Sequence, residues 1–494
     1  MSRPWVGLLL VLGMLAACGR VDSPGSSDGL PEPGPERQVS IAAPIEQRLA
    51  NGLRVIVLPR AGAALVSAQF MLLSGGETDP ADRAGLADFT ASLLTQGTRS
   101  PAGNRSASQL AAAAEALGGP IQAQAGWDAT RIGITVTTPR LAAALDLLAD
   151  VVRHPAFAKD EVERYRAQAL DGLRLSYSDP GELAELVAAR IVHGTAPYGH
   201  PRQGTPASVQ RITAAELQRL HREIYRPDNA VLVLAGGLAP DTGLALAAQV
   251  FGDWTAPKST APKAAAAAPV AGPAATIIVI DQPDAGQAAV VAVLPLPPRA
   301  SGDYYEGLVA SNLLGGGYSS RLNSEIRIKR GLSYGASADY GVLRNGGDWT
   351  ASVQTKNESA AEVVALIRKT VQSLASIEVP AAELAARKAS YVGSYARRLE
   401  TASGIAGLIA SRIAQGAPAD EITRVIASVN AVDAAQVQAY AGQRLQATAL
   451  RYVIVGKASA FVDALRRDGR TVDVIPLAEL DLEAPSLRRA AASH

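Results

Sequence analysis

The sequence predicts an α+β protein made of two duplicated domains, each a mainly antiparallel sheet covered by helices, joined by an Ala/Pro-rich linker. Three observations carry this. The chain has 494 residues, too many for one ordinary core. The order strand, strand, helix, strand pair, helix, helix, strand reads twice along it. Between the two readings, residues 256–275 are almost all Ala, Pro, Lys and Thr, a composition that cannot bury a core. The chain is 48% hydrophobic, enough for large cores, and its net charge is +1. Without a basic excess or stripe, nucleic acid is excluded as a partner.

In the first half, 53–58 and 66–73 are rich in Val, Ile and Leu and read as strands. Helical patterns come next over 85–94 and over 106–117, the second ended by Gly118-Gly119. Residues 121–125 and 130–137 form an antiparallel pair around Gly126-Trp127-Asp128; 141–152 and 159–177 are helices. Thr213-Ala214-Ala215-Glu216 is a capping box that starts another helix, and 230–234 a buried strand. In the second half, 277–280 and 288–294 are strands and 304–314 a helix. The strand pair 340–343 and 349–355, helices over 360–374 and 381–397, and a closing strand at 451–455 complete the repeat.

The N-terminus carries an export signal. Arg3 precedes an apolar run over 6–14, and Leu15-Ala16-Ala17-Cys18 ends it. The run is short for a membrane span and has the length of a secretory core segment. Leu-Ala-Ala-Cys resembles a bacterial lipobox, with Cys18 lipidated; the alternative is an ordinary signal peptide with a chance cysteine. Cys18 is the only cysteine, so no intramolecular disulfide forms. Acyl chains there would hold the protein on a membrane, and Gly19 in place of an aspartate favours the outer one. The expected organisation is a signal peptide over 1–17, a tether over 18–44, domains over 45–255 and 276–460 flanking the 256–275 linker, and a basic, Ala-rich tail over 461–494 of no evident role.

Two motifs carry chemistry. Gly75-Gly76-Glu77-Thr78-Asp79-Pro80 leads into Gly85-Leu86-Ala87, Leu93-Leu94 and Gly97-Thr98. This frame resembles the N-terminal hallmark of the M16 (pitrilysin/insulinase-like) metallopeptidase family, in which a helix reads Gly-Leu-Ala-His-x-x-Glu-His. Two histidines at i and i+4 share a helix face and bind one zinc; the glutamate activates the zinc-bound water. Here those positions are Asp88, Ala91 and Ser92. The third family ligand, a glutamate on a later helix, falls at Gly172 or Asp171. None of the five histidines (His154, His193, His200, His221, His494) has a histidine at i+3 or i+4, so structural or surface roles are expected for them.

In the second half, Gly315-Gly316-Gly317-Tyr318-Ser319-Ser320-Arg321-Leu322 leads through Arg327 to Gly331-Leu332-Ser333-Tyr334. This resembles the other M16 hallmark, whose Arg/Tyr pair reaches peptide held at the zinc of another domain or subunit. Carried over, the pair is Arg327 and Tyr334. A guanidinium holds peptide carbonyls or a carboxylate, and a tyrosine hydroxyl donates to an oxyanion. Gly315, Gly316 and Gly317 resemble a shortened substrate-handling loop of non-catalytic subunits such as that of mitochondrial processing peptidase. Tyr198-Gly199-His200-Pro201 and Tyr225-Arg226-Pro227-Asp228-Asn229 match further landmarks.

The resemblance covers about residues 45–460. It implies a non-catalytic, substrate-binding subunit of a heterodimeric zinc peptidase acting on unfolded peptides in the bacterial envelope. Zinc is expected in the partner and no cofactor in this chain. A binding or scaffold protein of the same fold, as in the core subunits of cytochrome bc complexes, is the alternative; a peptidase with an unusual metal site is a third.

Overall fold

Runs of β-branched and aliphatic residues bounded by glycine become strands in both halves. The computed structural model describes residues 39–101, 103–259, 276–467 and 469–489. The first half contains β1 (Ile45–Arg48), β2 (Arg54–Pro59), β3 (Leu65–Leu72), a short ribbon of β4 (Thr98–Ser100) and β5 (Gly103–Arg105), then β6 (Gln122–Ala125), β7 (Thr130–Thr137) and β8 (Ala230–Gly236). The second contains β9 (Ile277–Asp281), β10 (Ala288–Pro295), β11 (Ser333–Leu343), β12 (Gly346–Thr355), β13 (Arg451–Gly456) and β14 (Val472–Pro476).

The strands form two mixed six-stranded sheets, ordered β1-β2-β8-β3-β7-β6 and β11-β12-β10-β13-β9-β14. The duplication is visible in the pairing. In the first sheet β2 is parallel to β8, and β8, β3, β7 and β6 continue antiparallel. In the second, β9 is parallel to β13, and β13, β10, β12 and β11 continue antiparallel. The sixth strands differ: β1 joins β2 antiparallel, whereas β14 joins β9 parallel. Thus β14, from the tail with no evident role in the sequence, closes the second sheet, and Phe461 and Leu465 beside it are buried. Cys18 and residues 260–275 of the expected linker lie outside the described residues.

Five helices position the candidate sites and join the halves: α1 (Leu86–Leu93), α2 (Lys159–Ser178), α3 (Pro180–His193), α4 (Tyr304–Gly315) and α5 (Ala402–Ala414). The pattern of the sequence covers α1, α2 and α4 but not α3 or α5. Asp179 caps α3 by accepting from the Glu182 amide at 2.8 Å, and Pro180 stands in its first turn. Thr401 caps α5 by accepting from the Gly404 amide at 3.0 Å. These two helices each cover the other half's sheet. Leu183, Val187 and Ile191 of α3 pack with Ile278, Val291 and Val453 of the second sheet. Ile405, Ala406 and Ile409 of α5 join a cluster with Met71, Val231 and Val233 of the first. Each buried Leu, Val or Ile here contributes roughly 1.5–3 kcal/mol.

A polar strut joins the halves as well. Arg344, in the turn between β11 and β12, donates its amide to Asp128 Oδ2 at 2.8 Å. Its guanidinium donates to the carbonyls of Asp128 (2.6 Å), Ala414 (3.1 Å) and Leu73 (3.3 Å). Tyr198 donates to the other Asp128 oxygen at 2.5 Å. Glu77 lies beside this cluster and accepts the Gly75 amide at 2.8 Å. Burial, followed by the negative charge of Asp128, pushes its carboxyl up to about 8.

Arg344→Ala removes three charge-assisted hydrogen bonds and leaves their carbonyl acceptors unpaired, which should cost about 2–4 kcal/mol; urea unfolding with an unchanged m-value checks it. Glu77 gives a pH prediction. Below about pH 4.5 its carboxyl is protonated in both folded and unfolded chains. As pH rises to about 8 the unfolded chain ionises first, so stability falls across that window and levels off above it. Glu77→Gln copies the protonated form and should remove part of the loss in Tm between pH 5 and pH 8. Asp79, pushed up mainly by its own burial, supplies a residual slope. An unchanged slope in the variant would contradict the buried-acid account.

Candidate functional site

The first hallmark builds a helix whose frame serves packing. Asp79 accepts the amides of Gly85 and Ala87, both at 2.9 Å, and so satisfies the first turn of α1. Phe89, Ala91, Leu93 and Leu94 are buried in the first core. Ala91, at the family's glutamate position, is a core residue with no exposed surface. Ser92 accepts a hydrogen bond from Tyr165 of α2 at 2.8 Å, and Tyr165 sits edge-on to Phe89.

Asp88 is paired with an arginine. Arg202 Nη1 donates to Asp88 Oδ1 at 2.7 Å and to the carbonyl of Ala125, the last residue of β6, also at 2.7 Å. Burial raises the Asp88 carboxyl and Arg202 offsets part of the rise. A guanidinium therefore bridges the helix position of the first metal ligand and the end of the edge strand. Asp88, Tyr165 and Gly172 line a small cavity of about 220 Å³. Asp171 does not reach it: its side chain is 70% exposed and pairs with Arg174 on the surface of α2. Gly172 supplies no donor atom.

The histidines are used elsewhere. His193 Nε2 lies 3.1 Å from Asp348, His221 Nε2 lies 2.8 Å from the Val152 carbonyl, and His200 Nε2 lies 3.1 Å from the Gly76 carbonyl. His154 ends the helix Leu141–Arg153. His494 lies outside the described residues. Among the described residues, no three His, Cys, Asp or Glu side chains gather as a metal-holding group.

The second hallmark brings its residues together. Arg327 stands between two rings, with its guanidinium carbon 4.8 Å from the centre of Tyr334 and 4.9 Å from that of Tyr318. Both rings face solvent, Tyr334 being 90% and Tyr318 66% exposed. A break in register between β11 and β12 at Ser333–Ala336 turns Tyr334 outward. Buried Asn323 ties the two tyrosine segments: it donates to the Tyr318 carbonyl at 2.5 Å and accepts the Ala336 amide at 3.1 Å. Arg321 of the same motif forms a two-pronged pair with Glu383, at 2.8 and 2.9 Å. Glu325 is engaged by Lys329 and Arg330, and among the described residues no carboxylate pairs with Arg327. Its in-plane N–H groups remain available.

The glycines have a packing reason. A Cβ on Gly315 would lie 1.9 Å from the Ala338 amide, and one on Gly316 would lie 2.3 Å from the Asn312 side chain. They let the end of α4 press onto β11. Gly317 is less crowded, with Arg387 3.4 Å from such a Cβ. The two candidate sites occupy equivalent places in the duplication, each beside the edge strand of its own sheet, β6 and β11. Sequence reasoning missed Arg202, Tyr318 and Asn323. An aromatic directly after three glycines was a signal for Tyr318; for Arg202 there was none.

Comparison with known proteins bears on the fold and the family. Residues 55–194 match the family described as insulinase (peptidase family M16), and residues 211–391 match the peptidase M16 inactive domain. An uncharacterised zinc protease of Mycobacterium tuberculosis is 30% identical over 379 residues, covering 76% of this chain and 84% of that protein. The solved M16 inactive domain protein from Pseudomonas fluorescens has a TM-score of 0.76 at 25% identity, with 84% of this chain and 98% of that one covered. A chain of Complex III2 from Candida albicans shares the fold, with a TM-score of 0.71 at 15% identity over 87% of this chain and 100% of that one. The chain belongs to the M16 peptidase family.

Proposed function

We propose that this chain is the non-catalytic, substrate-binding subunit of a two-subunit M16 peptidase that acts on unfolded peptides in the bacterial cell envelope, with zinc held by the partner. One contrast supports the reading. The helix position of the first metal ligand carries an Asp88–Arg202 ion pair, Ala91 is core and Ser92 is bonded to Tyr165. Arg327, by comparison, stands between exposed rings with no acid partner among the described residues. Ala91 cannot take a proton, so the water-activating role passes to another chain. Arg327 and Tyr334 can still meet a peptide held at a partner's metal. Arg327 would hold a carbonyl in ground and transition states alike, whereas Tyr334 would donate to the oxygen that gains charge during attack. Cys18 belongs to the same proposal as a lipid anchor that keeps the pair at the membrane.

Mixed with a zinc-bearing M16 partner and an unstructured peptide, the native chain should raise turnover, and alone it should cleave nothing. Tyr334→Phe should lower kcat by roughly 10- to 1000-fold, the range of lost oxyanion donors. Arg327→Ala should act mainly on KM. Size-exclusion chromatography should find both variants still assembled, since the pair is proposed to meet the peptide and not the partner subunit. Full activity in both would leave the chain a scaffold. In cells, Cys18→Ser should move the protein to the soluble periplasmic fraction or stall its processing; a normally cleaved, membrane-bound variant would contradict the anchor.

A further inference from the structure

The first sheet carries a groove that the Arg/Tyr site does not explain. Two cavities of about 580 and 260 Å³ lie beside edge strand β6, are bordered by α5, and share Gln124 and Arg131. Their walls are otherwise largely neutral: Ser67, Gln69, Ser403 and Gln415 are among them. Two further charged side chains face the smaller cavity, and both are already engaged. Arg202 holds Asp88, and Asp128 holds Tyr198 and Arg344.

Arg131 is different. It sits on β7 directly opposite Gln124 of β6. Among the described residues its side chain has no hydrogen bond and no ion pair, and the neighbouring charge that acts on it is another cation, Arg398. Burial and Arg398 both work against its charge, yet a guanidinium keeps its proton in proteins. A half-buried cation with a cation for a neighbour is a standing cost that an arriving carboxylate would offset. Arg202 covers the Ala125 carbonyl at the end of β6, which leaves Gln122 to Gln124 as the open stretch of edge. An extended peptide can add to such an edge by main-chain pairing, with alternate side chains directed at one sheet face.

We propose that this groove selects extended acidic peptides, pairing them along β6 and seating an Asp or Glu side chain on Arg131. The proposal rests on the peptide-handling role proposed for the chain and adds a substrate class to it. The test uses the full chain and three dye-labelled, unstructured ten-residue peptides. One has a central Glu and capped ends, the second a central Gln and capped ends, and the third a central Gln with a free C-terminus. Fluorescence anisotropy reads affinity, and Trp127, which lines the smaller cavity, gives an intrinsic signal.

The Glu peptide should bind about tenfold tighter than the capped Gln peptide, as one charge-assisted contact allows. The gap should narrow in 1 M salt. Arg131→Gln should abolish it while leaving the Gln peptide unchanged. Arg398→Gln, an exposed change that spares the sheet, should narrow the gap in a chain whose fold is undisturbed. Equal binding of the Glu and Gln peptides, or a preference that survives Arg131→Gln, overturns the proposal and leaves the peptide-handling role standing. Preference for the free C-terminus alone overturns the side-chain assignment. Failure of all three peptides to bind overturns both the acidic preference and the peptide-handling role.

Discussion

The exchange of α3 and α5 between the two sheets is the constraint on which the rest of the structure depends. Neither sheet has a complete core from its own half. The second sheet buries Ile278, Val291 and Val453 against α3, which comes from the first half of the chain. The first buries Met71, Val231 and Val233 in a cluster that includes α5 residues from the second half. Pulling the halves apart would expose both faces, at a cost set by many aliphatic side chains and not by a few polar contacts. Arg344 adds direction to this non-directional force, because its hydrogen bonds hold only one relative placement of the halves.

The same constraint explains the composition of the central strands. β8 and β10 are buried along nearly their whole length, and β9 and β13 nearly so. A sheet with one wet face would show alternation, whereas two-sided burial gives continuous apolar runs. These runs are visible in the sequence as Ala-Val-Leu-Val-Leu and Ala-Ala-Val-Val-Ala-Val-Leu. The partner of the second face is not. Periodicity shows that a helix has an apolar stripe but not which sheet the stripe will meet, so α3 and α5 could not be assigned to their places from the chain alone.

The candidate sites were legible to different depths for a related reason. The spacing of Asp88, Ala91 and Ser92 on one helix, and of Arg327 and Tyr334 around a Gly-Leu turn, is local and reads directly. Arg202 meets Asp88 across 114 positions, and Arg344 meets Asp128 across 216. Both arginines stand in loops with no periodicity to mark them. Arg131 is one polar residue in an alternating strand, and only the absence of a countercharge among the described residues singles it out. Tyr318 is intermediate: its position after the glycines was visible, but its ring against Arg327 depends on Asn323 tying two distant backbone segments.

The two hallmarks therefore carry different weight. In the first, the residues that fit the family frame are those the fold itself needs: Asp79 satisfies the helix start, and Leu86, Ala87, Leu93 and Leu94 fill the core. A chain can match that frame for packing alone, so the match reports on architecture and not on chemistry. In the second, the supporting residues are likewise structural: Asn323 and Arg321 are bonded, and Gly315 and Gly316 are sterically required. What they support is not. Tyr318 and Tyr334 leave most of their rings in water, and Arg327 lies between them with no carboxylate partner among the described residues. Exposed aromatic surface brings the fold little, and a surface arginine needs no pair of rings to stay soluble. The scaffold spends buried contacts and glycines to hold an arrangement that stability does not use, which is the physical reason to look for its purpose in a bound peptide.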